Sequence, residues 1–149
     1  MKKVKFRGLS EGNLNRLWRK VVLEIFGGKC FFCGAHHTEQ EIECHHTVKR
    51  KNFLLRYNWR NGIPSCKWVH GKNGHLKMSC HQFAETPEGK HIIDVYQARF
   101  RDYLTARSGV AKQWFVEHGI TKRDYLIEMY NDLSQKWAMI QIEKRNDLS

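Results

Sequence analysis

Apolar positions recur along this chain at two spacings. Over about residues 12–26 they fall three and four apart, with Leu14, Leu17, Trp18, Val21, Val22 and Ile25 on one stripe, which predicts an amphipathic helix. Ser10 or Asn13 can cap its start and Gly27-Gly28 stops it, while Arg16, Arg19 and Lys20 make a solvated face. Two short stretches, about 41–48 and 61–65, read as strands. Helical spacing returns after residue 79, first as a short helix to about Glu85, stopped near Pro87. A longer helix is expected from about Gly89 to Arg107, burying Ile92, Ile93, Tyr96, Phe100 and Leu104. Gly109 breaks it, and residues 110–118 form another, ended by Gly119. Thr121 then caps a long helix to about Arg145, turning Tyr125, Leu126, Met129, Leu133, Trp137, Ile140 and Ile142 inward. The pattern contains no internal repeat, low-complexity tract or heptad run.

Strands confined to the middle and helices on both sides predict an α+β chain. Its 149 residues fit one domain, with a core over about 27–88 and a helical extension over about 89–149. A boundary near residue 88 is the alternative. Residues 1–9 read as a basic arm or a short edge strand.

Charge changes this picture. The formal net charge is +11, and it is unevenly spread. Residues 47–79 hold eight basic side chains and no acidic one, whereas residues 80–149 hold ten of each. A solvated face usually mixes signs, so a one-sign stretch predicts a polyanionic partner. The longest apolar runs are far shorter than the roughly 18 residues of a membrane span. The basic start has no apolar core of a signal peptide. Five cysteines, an odd number, suit metal better than disulfides and point to a reducing cytoplasm.

Candidate chemistry gathers around the charged stretch. Cys30-x-x-Cys33 followed by Gly34 reads as a metal-knuckle turn, because glycine lets the backbone fold around the sulfurs. A redox pair is the alternative, but no βαβ pattern surrounds it. His45-His46 is the second feature. Imidazole is the commonest metal ligand and is matched to proton transfer near neutral pH. On a strand, adjacent side chains point to opposite faces, so the two rings can divide the work. Between them and Asn61 runs a loop of cations and aromatics suited to nucleic acid, with Lys49, Arg50, Lys51, Arg56 and Arg60. Phe53, Leu54, Leu55 and Trp59 are expected to pin that loop to the core. Cys66 and Cys80-His81 complete the set. Cys44 reads as a small buried strand residue, and His36, His37, His75 and His91 as surface residues.

The ordered set of Cys-x-x-Cys, Glu-Cys-His-His, Asn and Cys-His over about residues 30–81 resembles the HNH endonucleases, the ββα-metal nucleases. The resemblance implies a ββα-metal core with a structural zinc knuckle, flanked by helices. It makes His45 a ligand of one catalytic divalent ion, His46 the general base, and Asn61 the residue that fixes the loop through backbone hydrogen bonds. The family's knuckle continues as Cys-x-x-Cys-His, and here the sequence departs from it, since Cys66 is followed by Val69 and His70. On one reading His70 is the remaining catalytic ligand. On the preferred one, residues 67–77 are an insertion, so that Cys66, Met78, Ser79, Cys80 and His81 restore the pattern. His81 is then the ligand, and Cys30, Cys33, Cys66 and Cys80 hold structural Zn2+. The resemblance further implies DNA nicking or double-strand cutting with 5′-phosphate products. It implies Mg2+ or Mn2+ as catalytic ion, with Zn2+ or Ni2+ as alternatives, in a protein of the kind carried by phages and mobile elements. Two other readings stay open, a non-catalytic zinc-stapled nucleic-acid-binding module and a structure-selective nuclease on branched DNA.

Overall fold

The computed structural model describes residues 9–36, 38, 40–67 and 78–147. Its architecture is α+β, with a two-stranded antiparallel sheet set among helices. Helix α1 (Glu11–Ile25) starts at Ser10, whose hydroxyl accepts the Asn13 N–H at 3.1 Å, and buries Leu14, Trp18, Val21 and Val22. Its polar face is less solvated than its sequence predicts. Arg19 donates to the Ile42 carbonyl at 2.8 Å, and Lys20 lies over the Trp137 ring.

Strand β1 (Ile42–His46) pairs with β2 (Gly62–Cys66) in a register that sets Ile42 opposite Cys66 and His46 opposite Gly62. Alternation along β1 decides the rest. Cys44 and His46 face α1, while His45 faces the opposite layer. Strand β2 is buried along its whole length, because helices cover both of its faces. The connection between the strands carries two single 3₁₀ turns, Phe53–Leu55 and Trp59–Asn61, and sinks Leu54, Leu55 and Tyr57 into the core.

The opposite layer begins with α2 (Cys80–Phe83), held by a capping box. Ser79 accepts the Gln82 N–H at 3.1 Å, and Gln82 accepts the Ser79 N–H at 2.9 Å. The expected helix over 89–107 is instead α3 (Pro87–Gln97), a 3₁₀ turn (Ala98–Phe100) and α4 (Arg101–Ala106). Aromatic packing accounts for the break, since the Phe100 ring packs nearly perpendicular to those of Trp59 and Tyr96, with centroids 5.5 and 6.0 Å apart. Pro87 opens α3 rather than only ending α2, as its missing N–H is no loss in a first turn. Ile92 is 44% exposed rather than buried, because Ile93 takes the inward direction and its neighbour is rotated away.

Helices α5 (Ala111–His118) and α6 (Lys122–Asp147) follow, with Gly119 in the left-handed region between them. Thr121 and Asp124 exchange N–H bonds at the start of α6. Tyr125, Met129 and Leu133 pack on α1, with the Tyr125 hydroxyl donating to the Leu54 carbonyl. Ile142 is 49% exposed, because two residues along a helix from buried Ile140 leads to the other side. The basic arm lies outside the described residues apart from Leu9. No helix among the described residues is long and apolar enough to cross a membrane.

Candidate active site and metal cluster

The sheet has a cysteine end and a histidine end. At the first, Cys30 and Cys33 lie in the turn after α1, Cys66 closes β2, and Cys80 opens α2. Their four Sγ atoms lie within 4.8 Å of one another. A tetrahedral zinc–thiolate site, with bonds of about 2.3 Å, sets its sulfurs about 3.8 Å apart. The four thiols can therefore hold a metal ion such as zinc. Their own electrostatics fit that use. The Cys80 thiol beside it holds Cys30 well below the ordinary thiol range, at about 4, helped by N–H groups including that of Cys66 at 3.4 Å. Burial pushes Cys33 up to about 11. Without an ion, one sulfur is readily ionised while a neighbour resists a second buried negative charge. A divalent cation removes that conflict.

Cys44 is separate from this cluster. It is buried against α1, with its thiol donating to the Arg19 carbonyl at 3.5 Å, and burial raises it to about 12.

At the histidine end, strand alternation sends the paired rings apart. His46 lies flat on Trp18, with centroids 4.0 Å apart and planes 7° from parallel. Gly62 makes room for this stack, since a Cβ there would sit 2.7 Å from both Trp18 and Val22. The Trp18 indole is itself fixed, donating to the Asn58 carbonyl at 2.8 Å. His46 Nε2 is 2.9 Å from the Arg56 carbonyl, which only accepts, so Nε2 carries the hydrogen and Nδ1 keeps the free lone pair of the neutral ring. His45 turns to the other layer. Its Nε2 is 3.4 Å from Glu85 Oε1, and its ring centroid is 5.6 Å from that of His81. His81 Nδ1 in turn lies 3.3 Å from the Ser65 hydroxyl. Burial holds both His45 and His46 below the ordinary imidazole value.

His45 and His46 open on a shared cleft of about 230 Å³, whose walls include Lys49, Glu85, Lys90 and Asp94. Asn61 is fully buried. Its Oδ1 accepts from the Val48 N–H at 2.7 Å and the Thr47 hydroxyl at 2.6 Å. Its Nδ2 donates to the Val48 and Leu55 carbonyls at 3.0 and 3.1 Å. From the far end of the loop that follows the histidines, one side chain thus ties its start to its middle.

The five candidate phosphate contacts divide into two groups. Lys49, Arg50 and Lys51 are exposed. Arg56 donates to the Arg50 carbonyl at 2.9 Å and pairs with Glu11 at 3.3 Å. Arg60 pairs with Asp132 at 3.3 Å and lies between the Trp59 and Tyr103 rings, 4.1 and 4.0 Å from their centroids.

Glu85, Trp18 and Lys90 are among the site residues that go beyond the sequence reading. Glu85 follows His81 by four positions, a one-turn spacing that was a usable signal. Trp18 and Lys90 carried none, as each looks like an ordinary helix residue. His36 and His91 are exposed. His37, His70 and His75, and the proposed insertion apart from Lys67, lie outside the described residues.

No protein-family model and no solved structure matches the chain. Among curated proteins, it is similar to the Septu protein PtuB of Bacillus thuringiensis, being 34% identical over 70 residues. The match covers 42% of this chain and 27% of that protein, so the chain spans about a quarter of its relative's length.

Proposed function

We propose that this protein is an HNH-type, metal-dependent endonuclease that hydrolyses phosphodiester bonds in DNA. The observation that carries this reading is the clamped His46 ring. Its Nε2–H is tied to a carbonyl and one face is covered by Trp18, so Nδ1 is the available base at the cleft. Because burial holds it below its ordinary value, the ring is neutral at pH 7 and ready to accept a proton from water. The imidazolium so formed keeps its bond to the Arg56 carbonyl and gains from the Trp18 π-face. Asn61 keeps the loop at a fixed distance from the base while this happens.

His45, His81 and Glu85 are the residues that would hold a divalent ion at the cleft. In the tautomer in which His81 Nδ1–H donates to Ser65, its Nε2 is free to bind. Two imidazoles and one carboxylate suit Mn2+, Ni2+ or Zn2+ better than Mg2+. When bound, the ion polarises the phosphate and stabilises the departing oxygen. Lys49, Arg50, Lys51 and Lys90 are suited to hold the backbone of the substrate, whereas Arg56 and Arg60 act through the fold. Zinc at the four cysteines is structural. The likeness to a Septu protein supports a role in a system of that kind, on that resemblance alone.

The test is cleavage of supercoiled, nicked and branched DNA with Mn2+, Ni2+ or Mg2+, against EDTA. The wild type should cut, and His46→Ala should lose about 10²–10⁴-fold in rate while keeping DNA binding and zinc. Binding without cleavage under every ion would make the chain a zinc-stapled binding module. Cutting confined to branched substrates would make it structure-selective.

A further inference from the structure

We propose that Gln97 is a positioning residue for the nuclease loop, fastening both of its ends to α3 through one side-chain amide. The inference rests on the nuclease reading above. Gln97 is the last residue of α3, fifty positions from Thr47 in the chain. Its Nε2 donates to the Thr47 hydroxyl, and to the Arg60 backbone carbonyl at 2.9 Å. An amide nitrogen carries two hydrogens, so both bonds form at once. Thr47 follows His46, and Arg60 precedes Asn61. The two anchor points are therefore the first and last residues of the loop.

The direction of the hydrogens links these bonds into one chain. Having accepted from Gln97, the Thr47 hydroxyl spends its own hydrogen on Asn61 Oδ1 at 2.6 Å. Asn61 Nδ2 then donates to the Val48 and Leu55 carbonyls. The Thr47 N–H to Asn61 carbonyl bond at 3.2 Å extends the β1–β2 pairing by one step between the same anchors. Bonds arranged in series polarise one another, so the far member is strengthened by the near one. A helix needing only to pack here would be served by an apolar side chain. A half-buried amide with both hydrogens engaged is instead a means of registering α3 against the loop. Helix α3 also carries Lys90 and Asp94 to the cleft wall, so the same registration sets the distance between that wall and His46.

Loss of this tie should show in turnover before it shows in folding, since a misplacement of about 1 Å at a reacting group can cost about 100-fold. Gln97→Met keeps length and volume without donors. Gln97→Glu keeps the shape, but offers no hydrogen to the Arg60 carbonyl and draws the Thr47 hydroxyl away from Asn61. With the full chain, zinc-loaded, both variants should lower kcat on a short DNA duplex roughly 10- to 100-fold and leave KM unchanged. Zinc per chain should stay at the wild-type value. Amide hydrogen exchange should quicken at Val48, whose N–H is held by Asn61, with no change in α1 or α6. Val95→Ala, on the exposed side of α3, should change none of these.

Wild-type kcat and unchanged Val48 exchange in Gln97→Met would overturn the proposal. So would parallel losses of zinc, melting temperature and kcat, which would mark Gln97 as ordinary packing. If the wild-type protein cuts no DNA, the nuclease reading fails first. Val48 exchange then still decides whether Gln97 holds the loop.

Discussion

The two ends of one short sheet are built in opposite ways. At the Ile42–Cys66 end, four sulfurs converge in a mostly buried cluster, three placed by their own neighbourhood in the chain and Cys66 by its pairing with Ile42. The knuckle turn sets Cys30 and Cys33, and the Ser79–Gln82 box sets Cys80 at the first position of α2. At the His46–Gly62 end, the candidate catalytic groups face an open cleft, and contacts from residues distant in sequence hold them. Trp18 covers His46, and Gln97 anchors the loop. A closed metal cluster saturates its own ligands, so convergence is enough. A site that acts on a substrate must leave atoms unsatisfied toward solvent, and their positions have to be enforced from outside.

The sharpest way to break this comparison is at the cysteine end. Cys80→Ser should cost the bound metal and, with it, cooperative folding, because metal-binding free energy in such sites is on the order of 10 kcal/mol and is linked to folding. Metal per chain and thermal unfolding measure it. Full metal content with an unchanged melting temperature would show that the cluster is not closed around an ion.

Asn61→Ala attacks the other end and should cost less. It strands the Val48 N–H and the Thr47 hydroxyl, and removes a donor from two carbonyls, at a site with no exposure. A loss of about 2–4 kcal/mol in urea unfolding is expected, with zinc retained. Cleavage should be abolished. Zinc lost together with stability would mean that the two ends are one cooperative unit.

A paired test separates cations of the fold from cations of the surface. Arg60→Ala removes a half-buried ion pair and two ring contacts, so its melting temperature should fall by a few degrees. Lys51→Ala should leave melting unchanged and flatten the salt dependence of DNA binding by about one unit of log–log slope. The reverse pattern would return Arg60 to the substrate surface.

The smallest effect is a gradual one with pH. His45 and His46 are held below 6.5 by burial, so the unfolded chain takes up protons before the folded one does. Their contribution is fully present above about pH 6.5, declines as the pH falls through the folded values, and is flat below them. Melting of His46→Gln should show a weaker decline than wild type between about pH 7.5 and about pH 5.5. An equal decline in both would place the acid sensitivity elsewhere.

Periodicity alone placed α1 within one residue at each end and assigned Tyr125 and Leu133 to the interior. Those assignments follow from local geometry, as burial on a helix or strand repeats with the backbone's own period. The grouping of Cys30, Cys33, Cys66 and Cys80 was legible through the family resemblance, once residues 67–77 were read as an insertion, and the four thiols do lie together. Adjacent histidines on a strand had to face opposite layers. The rest was decided by packing. Phe100 meeting Trp59 broke a helix that its own sequence favours, and Arg60 was drawn into a pair with Asp132, seventy-two positions away. Trp18 under His46, Glu85 beside His45 and Gln97 across the loop are likewise tertiary facts. Covalent spacing specifies which way a side chain points, but which side chain it meets across tens of residues depends on how the layers close.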